Sequence, residues 1–158
     1  MQIMRHLYLF TLEVVPLEVG KVYEELPSHL TLMSRFWSEL PANDLSEIIR
    51  PLFTQTKPIG LIFGETIELG PKKLMAHMVK QLEEVKLHNK LRELLDSVKV
   101  DYQYPQLIGA NHKPHVTRRE GVRLEPGDSR MTKAAYLIEV VDEKRVIRIK
   151  FKLEGNRS

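Results

Sequence analysis

Apolar side chains recur with a period of two through most of this chain, and the helical period occurs in only two places. No other feature constrains the fold as much. From Leu7 to Val14, Tyr8, Phe10, Leu12 and Val14 share one face, because strand side chains i and i+2 project together. From His29 to Phe36, Leu30 and Leu32 point to one side and His29, Thr31, Met33 and Arg35 to the other. Ile59 to Leu69 and Leu74 to Val79 are apolar enough for strands on either side of the turn Gly70-Pro71. The last segment predicts a hairpin, with Tyr136, Ile138 and Val140 inward on one strand and Ile147, Ile149, Phe151 and Leu153 inward on the next. Arg148, Lys150 and Lys152 take its outer face.

The first helical stripe is Leu45, Ile48, Ile49, Leu52 and Phe53. Asn43 and Asp44 are its candidate N-caps, and Asp44 with Glu47 has capping-box spacing. Pro51 lacks an amide hydrogen and is expected to kink or end this helix. The second stripe is Leu87, Leu91, Leu94, Leu95 and Val98, with a loop expected from Asp101 to Lys113. Runs of strands with one helix in each half predict an α+β fold that is largely antiparallel.

At 158 residues the expectation is a single domain over 1–158, long enough to bury a core. The chain contains no cysteine, which excludes disulfides, Cys-ligated zinc, iron–sulfur clusters and thiol catalysis. A net charge of +3 suits an anionic partner without identifying one. No stretch reaches the ~20 apolar residues of a membrane span. Thr11 and Glu13 interrupt the one leader-like run, Leu7 to Val15, so a first strand and a cytoplasmic location are expected.

Two tripeptides stand out within the extended runs: His29-Leu30-Thr31 and, 86 residues later, His115-Val116-Thr117. Each places an imidazole and a hydroxyl on one strand face and an apolar anchor on the other. A single such tripeptide is a common coincidence. Two of them, each in a strand and each with its own helix, divide the chain into similar halves. The segments Ser28-His29-Leu30-Thr31-Leu32 and Pro114-His115-Val116-Thr117 resemble the paired His-x-Thr/Ser motifs of the 2H phosphoesterase superfamily, in particular its bacterial 2′-5′ RNA ligase-like branch. The resemblance implies a bilobal fold, with two pseudo-symmetric antiparallel sheets and flanking helices around a central cleft.

It also implies catalysis by His29 and His115, with Thr31 and Thr117 hydrogen-bonded to phosphate. The expected chemistry is hydrolysis of 2′,3′-cyclic phosphodiesters, reversible 2′-5′ ligation, or both. Histidine titrates near neutrality, so two of them facing one phosphate can serve as base and acid without metal or other cofactor. Arg119, two residues past Thr117, and Arg35, four past Thr31, are further phosphate-binding candidates at about 3.3 Å per residue. No Gly-rich phosphate loop occurs, so no ATP requirement is expected. His112-x-x-His115 has no carboxylate close in sequence, and no metal is expected there. His88, one turn from Glu84 and Arg92, reads as a solvated helix residue. The partners expected are RNA termini or cyclic or 2′-5′-linked nucleotides, with neither a membrane nor an obligate protein partner. Two other functions remain open: a phosphodiesterase of cyclic oligonucleotide or 2′-5′ oligoadenylate signals, and an RNA-binding module without turnover.

Overall fold

A computed structural model describes residues 4–69, 74–79, 82–117 and 125–156. Ten strands and two helices occur among them: β1 (His6–Glu13), β2 (Val22–Tyr23), β3 (His29–Ser38), α1 (Ala42–Thr54), β4 (Ile59–Leu69), β5 (Leu74–Val79), α2 (Leu82–Ser97), β6 (Asp101–Tyr102), β7 (His115–Thr117), β8 (Ser129–Thr132), β9 (Ala134–Val141) and β10 (Lys144–Lys152). The α+β class is as expected, and every strand pairing is antiparallel. The large sheet runs β2-β10-β9-β1-β3-β7-β5-β4, with β6 added to β3. The first half of β4 leaves β5 and pairs with β8 in a small second sheet.

The two predicted helical stripes form, with local differences. In α1 the buried apolar residues are Leu45, Ile49 and Phe53, while Ile48 is exposed. Neither Asn43 nor Asp44 caps α1. Pro41 is its N-cap with no side-chain hydrogen bond, and Asp44 lies in the first turn. Pro51 does not end the helix at once: α1 runs on to Thr54, and the Gln55 amide donates to the Pro51 carbonyl. A proline removes only its own donor, so the turn that follows it can still close. The loop expected from Asp101 to Lys113 contains β6 and two short 3₁₀ turns, Pro105–Leu107 and Gly109–Asn111.

The helices cover one sheet face, α1 on β9 and β10 and α2 on β3. Between them lies the main core, which includes Tyr8, Phe10, Leu12, Leu30, Leu32, Phe36, Phe53 and Phe151. A second cluster lies on the opposite face: Leu7, Leu9, Tyr136, Ile138, Val140 and Ile147 against Leu17 and Leu26 from the β1–β3 connection. Central strands β1 and β9 are therefore buried on both sides.

Register shifts account for two departures from simple alternation. In β10 a shift between Ile147 and Ile149 leaves Ile147 in the second cluster while Ile149 and Phe151 face the main core, so the hairpin has no single inward row. In β3, consecutive β1 residues Phe10 and Thr11 face Met33 and Thr31, which leaves Leu32 as an extra residue in a bulge. Met33 accordingly turns into the main core and does not share a face with Thr31.

Candidate active site

Leu30 and Val116 are fully buried and directly opposite each other in the β3–β7 ladder. These apolar anchors place both tripeptides. Continuing the antiparallel register one residue each way sets His29 opposite Thr117 and Thr31 opposite His115, all four on the face away from the main core. The four are partly exposed while their anchors are not, as period-two alternation requires. The two imidazoles occupy diagonal positions of this square, where side chains on neighbouring strands lie roughly 7–8 Å apart. A spacing of that order suits an anion bridged by a hydrogen bond of about 2.8 Å at each side.

Both rings are held the same way. His29 Nδ1 lies 2.9 Å from the Pro27 carbonyl, and His115 Nδ1 lies 3.0 Å from the Lys113 carbonyl. A carbonyl can only accept, so Nδ1 carries the hydrogen in each, and Nε2 is the ring nitrogen left to gain or lose a proton. In both cases the partner is two residues upstream, which extends the likeness of the halves from sequence to geometry. Ser28 Oγ donates to the Thr117 carbonyl at 3.2 Å and ties the start of one motif to the end of the other.

The sheet supplies neighbours that sequence spacing did not indicate. Glu13 of β1 is opposite His29, and Thr11 is opposite Thr31. Thr11 in turn faces Tyr136, which faces Lys150. The Tyr136 hydroxyl donates to Glu13 and accepts from the Leu17 amide at 3.0 Å; burial and the Glu13 bond push its pKa upward. Lys150 Nζ lies 3.8 Å from Glu13 Oε2 and over the Tyr136 ring. Thr11 Oγ1 is buried without a hydrogen-bond partner among the described residues. Only strand pairing joins residues so distant along the chain.

Of the other candidates, Arg35 lies on β3 past the bulge, four residues and roughly 13 Å from Thr31 at strand rise. It is half-buried, and its carbonyl accepts from the Gln103 amide. Arg119 falls outside the described residues.

Two histidines differ from expectation. His88 is not a solvated helix residue but is fully buried, because it shares a stripe with Leu91 and Leu95 at offsets of three and seven. His112 does have a carboxylate beside it: Glu84, 28 residues away, comes within 2.6 Å of its Nε2. His112 stacks on His88, ring centroids 3.8 Å apart, and packs into this buried cluster. Among the described residues no group of three His, Asp or Glu is disposed to hold a metal ion, and no helix is long and apolar enough to cross a membrane.

No family model and no curated protein matches the sequence. Solved structures do match the fold over nearly its whole length. TT0787 of Thermus thermophilus shares 19% identity over 98% of this chain and 100% of that one, with a TM-score of 0.58. A protein solved as a phosphoesterase shares 14% identity over 95% and 99%, with a TM-score of 0.59. Escherichia coli LigT complexed with 3′-AMP shares 13% identity over 95% and 99%, with a TM-score of 0.56.

Proposed function

The chain has the 2H phosphoesterase fold, and from that premise we propose that it is a metal-independent phosphoesterase acting on RNA ends or nucleotides through His29 and His115. The observation that carries this reading is the antiparallel pairing of the two His-x-Thr tripeptides about Leu30 and Val116, with each imidazole pinned at Nδ1. With its hydrogen on Nδ1, a neutral ring presents a lone pair at Nε2 and acts as base. A protonated ring presents Nε2–H and acts as acid. One of each, on either side of a phosphate, suffices to remove a proton from the attacking oxygen and to supply one to the departing oxygen.

In a 2′,3′-cyclic phosphodiester the attacking group is water, and the leaving group is a ribose oxygen of the ring. The base takes a proton from water as its oxygen bonds to phosphorus. The acid gives a proton to the ribose oxygen as the P–O bond breaks, and one phosphomonoester results. With a 5′-hydroxyl in place of water, the same proton movements join two ends: the base takes the hydroxyl proton as its oxygen bonds to phosphorus, and the acid protonates the departing ribose oxygen. Thr31 and Thr117, on the opposite diagonal of the square, are proposed to donate to the non-bridging oxygens, whose negative charge grows in the transition state. Arg119 and Arg35 are proposed as more distant phosphate ligands. LigT has been solved with 3′-AMP, ATP, NADP⁺ and phosphate, which supports a nucleotide phosphate as the ligand class here.

The test is incubation with 2′,3′-cyclic nucleotides, cyclic dinucleotides and 2′-5′ oligoadenylate, with and without chelator. Turnover of 2′,3′-cyclic nucleotides in chelator is the expected result. Turnover confined to the other two substrates selects the signal-degrading alternative, and binding without turnover of any substrate selects the RNA-binding module.

A further inference from the structure

The proposed acid–base chemistry does not use the buried polar cluster behind the two motif strands. Its centre is His88 on α2, fully buried. The Gly109 amide donates to His88 Nε2 at 3.0 Å, so that nitrogen accepts; Nδ1 therefore carries the hydrogen and donates to the Leu32 carbonyl at 2.7 Å. Two backbone groups from opposite halves of the chain thus fix the ring as one neutral tautomer. Burial holds its pKa down at about 4, so it keeps this form through the neutral range.

Both contacts fall at sensitive places. Leu32 directly follows Thr31 and is the residue that the β3 bulge leaves without a partner in β1. Gly109 opens the 3₁₀ turn that leads, through His112, into His115. Its φ of +73° is left-handed, a conformation that glycine adopts without strain. The β3–β7 ladder itself is short, since β7 spans only His115–Thr117. The His112 ring lies parallel to His88, and its Nε2 is 2.6 Å from Glu84 Oε1. Glu84 is fully buried with Oε2 unpartnered among the described residues, and burial raises its pKa against the opposing pull of His112.

Such a cluster is weak evidence for stability as its purpose. Well-packed apolar residues in place of buried polar groups are often neutral or stabilising, and the best use of a buried polar contact is to select one arrangement over others. We propose that His88 is a positioning residue for both catalytic tripeptides. By bonding Leu32 and Gly109 at once, it sets the offset of the His29 strand against the His115 strand, while the His112–Glu84 pair holds the ring from one side. This rests on the phosphoesterase reading for its consequence in turnover, but not for the geometry.

The experiment therefore has two arms on the full chain. In the first, long-range ¹⁵N–¹H spectra of the histidine rings compare wild type with His88→Leu. Wild type should show His88 as the Nδ1–H tautomer, and the substitution should move the ring resonances of both His29 and His115. Unmoved resonances in a folded variant would overturn the proposal. The second arm measures 2′,3′-cyclic nucleotide hydrolysis. A displacement of an ångström or less at a reacting centre costs up to about 100-fold. His88→Leu should therefore lower kcat roughly 10- to 100-fold, with KM within about twofold and the limbs of the pH profile in place. His88→Asn keeps the donor to Leu32, His88→Gln keeps the acceptor for Gly109, and each should lie between wild type and His88→Leu. Wild-type kcat in folded His88→Leu overturns the proposal, as does unfolding of all three variants, which would make His88 simply structural. If wild type turns over no substrate, the proposed function has failed and the resonance arm alone decides the positioning.

Discussion

His88 should make the protein sensitive to acid in a definite window. Its pKa is about 4 in the folded chain, against an ordinary value of 6.5: burial lowers it most, the hydrogen bond to Leu32 opposes that, and His112 and Arg92 lower it further. The unfolded chain therefore binds the proton first. The stability His88 contributes is complete above pH 6.5, is lost as pH falls toward 4, and changes no further below that. A difference of roughly 2.5 pKa units corresponds to about 3 kcal/mol in full, and to about 2–3 kcal/mol between pH 7.5 and 4.5. For a chain of this size that is a fall of roughly 5–12 °C in Tm. Glu84 acts in the opposite sense. Its raised pKa contributes stability below the ordinary 4.5 that is lost as pH rises, so bulk acid unfolding mixes the two. Comparison with His88→Gln, which retains Glu84 and His112, isolates the histidine. Urea unfolding of both proteins at a series of pH values between 7.5 and 4.5 should show wild type losing about 2–3 kcal/mol more than the variant across that span. Equal losses in the two proteins would refute the assignment of His88 as a buried neutral imidazole.

Four further outcomes are expected. His29→Ala and His115→Ala should each lower turnover about 10²- to 10⁴-fold with an unchanged circular dichroism spectrum; Thr31→Ala and Thr117→Ala should be milder, each removing one hydrogen bond to phosphate. Near-wild-type rates in either histidine variant would exclude the two-histidine mechanism. The pH profile of kcat/KM should be a bell whose two apparent pKa values belong to the histidine pair, and a profile that stays flat across the histidine range while chemistry limits the rate would count against it. EDTA should leave the rate unchanged, whereas loss in EDTA and recovery with one divalent ion would require a metal site. Tyr136→Phe should lower stability by about 1–3 kcal/mol in urea, because it leaves the buried Leu17 amide without its acceptor. An unchanged midpoint would mean that water replaces the hydroxyl.

Local periodicity carried the strands and both helices, because burial of one face imposes a repeat that needs no tertiary information. It also carried the four motif residues, since an imidazole and a hydroxyl two apart must share a strand face, and an apolar residue between them must take the other. Even the buried position of His88 was open to inspection, because it is in phase with Leu91 and Leu95. A polar residue on an apolar stripe is nevertheless credible only once its partners are known. Those partners, Leu32 and Gly109, lie 56 and 21 residues away. Both bulges escaped for a related reason. An extra residue in β3 is defined by what β1 places opposite it, so alternation read along one strand put Met33 on the wrong face.

The sequence by itself determined that two His-x-Thr strands exist and that each has an apolar back. Tertiary structure alone decided that these strands are immediate neighbours, offset so that their apolar anchors Leu30 and Val116 stand opposite each other. It also decided that Glu13, Tyr136 and Lys150 stand beside the first motif, and that His88 bonds to the backbone behind both. The physical division is between short-range and long-range constraint. A side chain's direction follows from its own backbone and its nearest neighbours, whereas register between strands follows from which buried surfaces and backbone donors meet. In this chain those meetings join residues 86 positions apart.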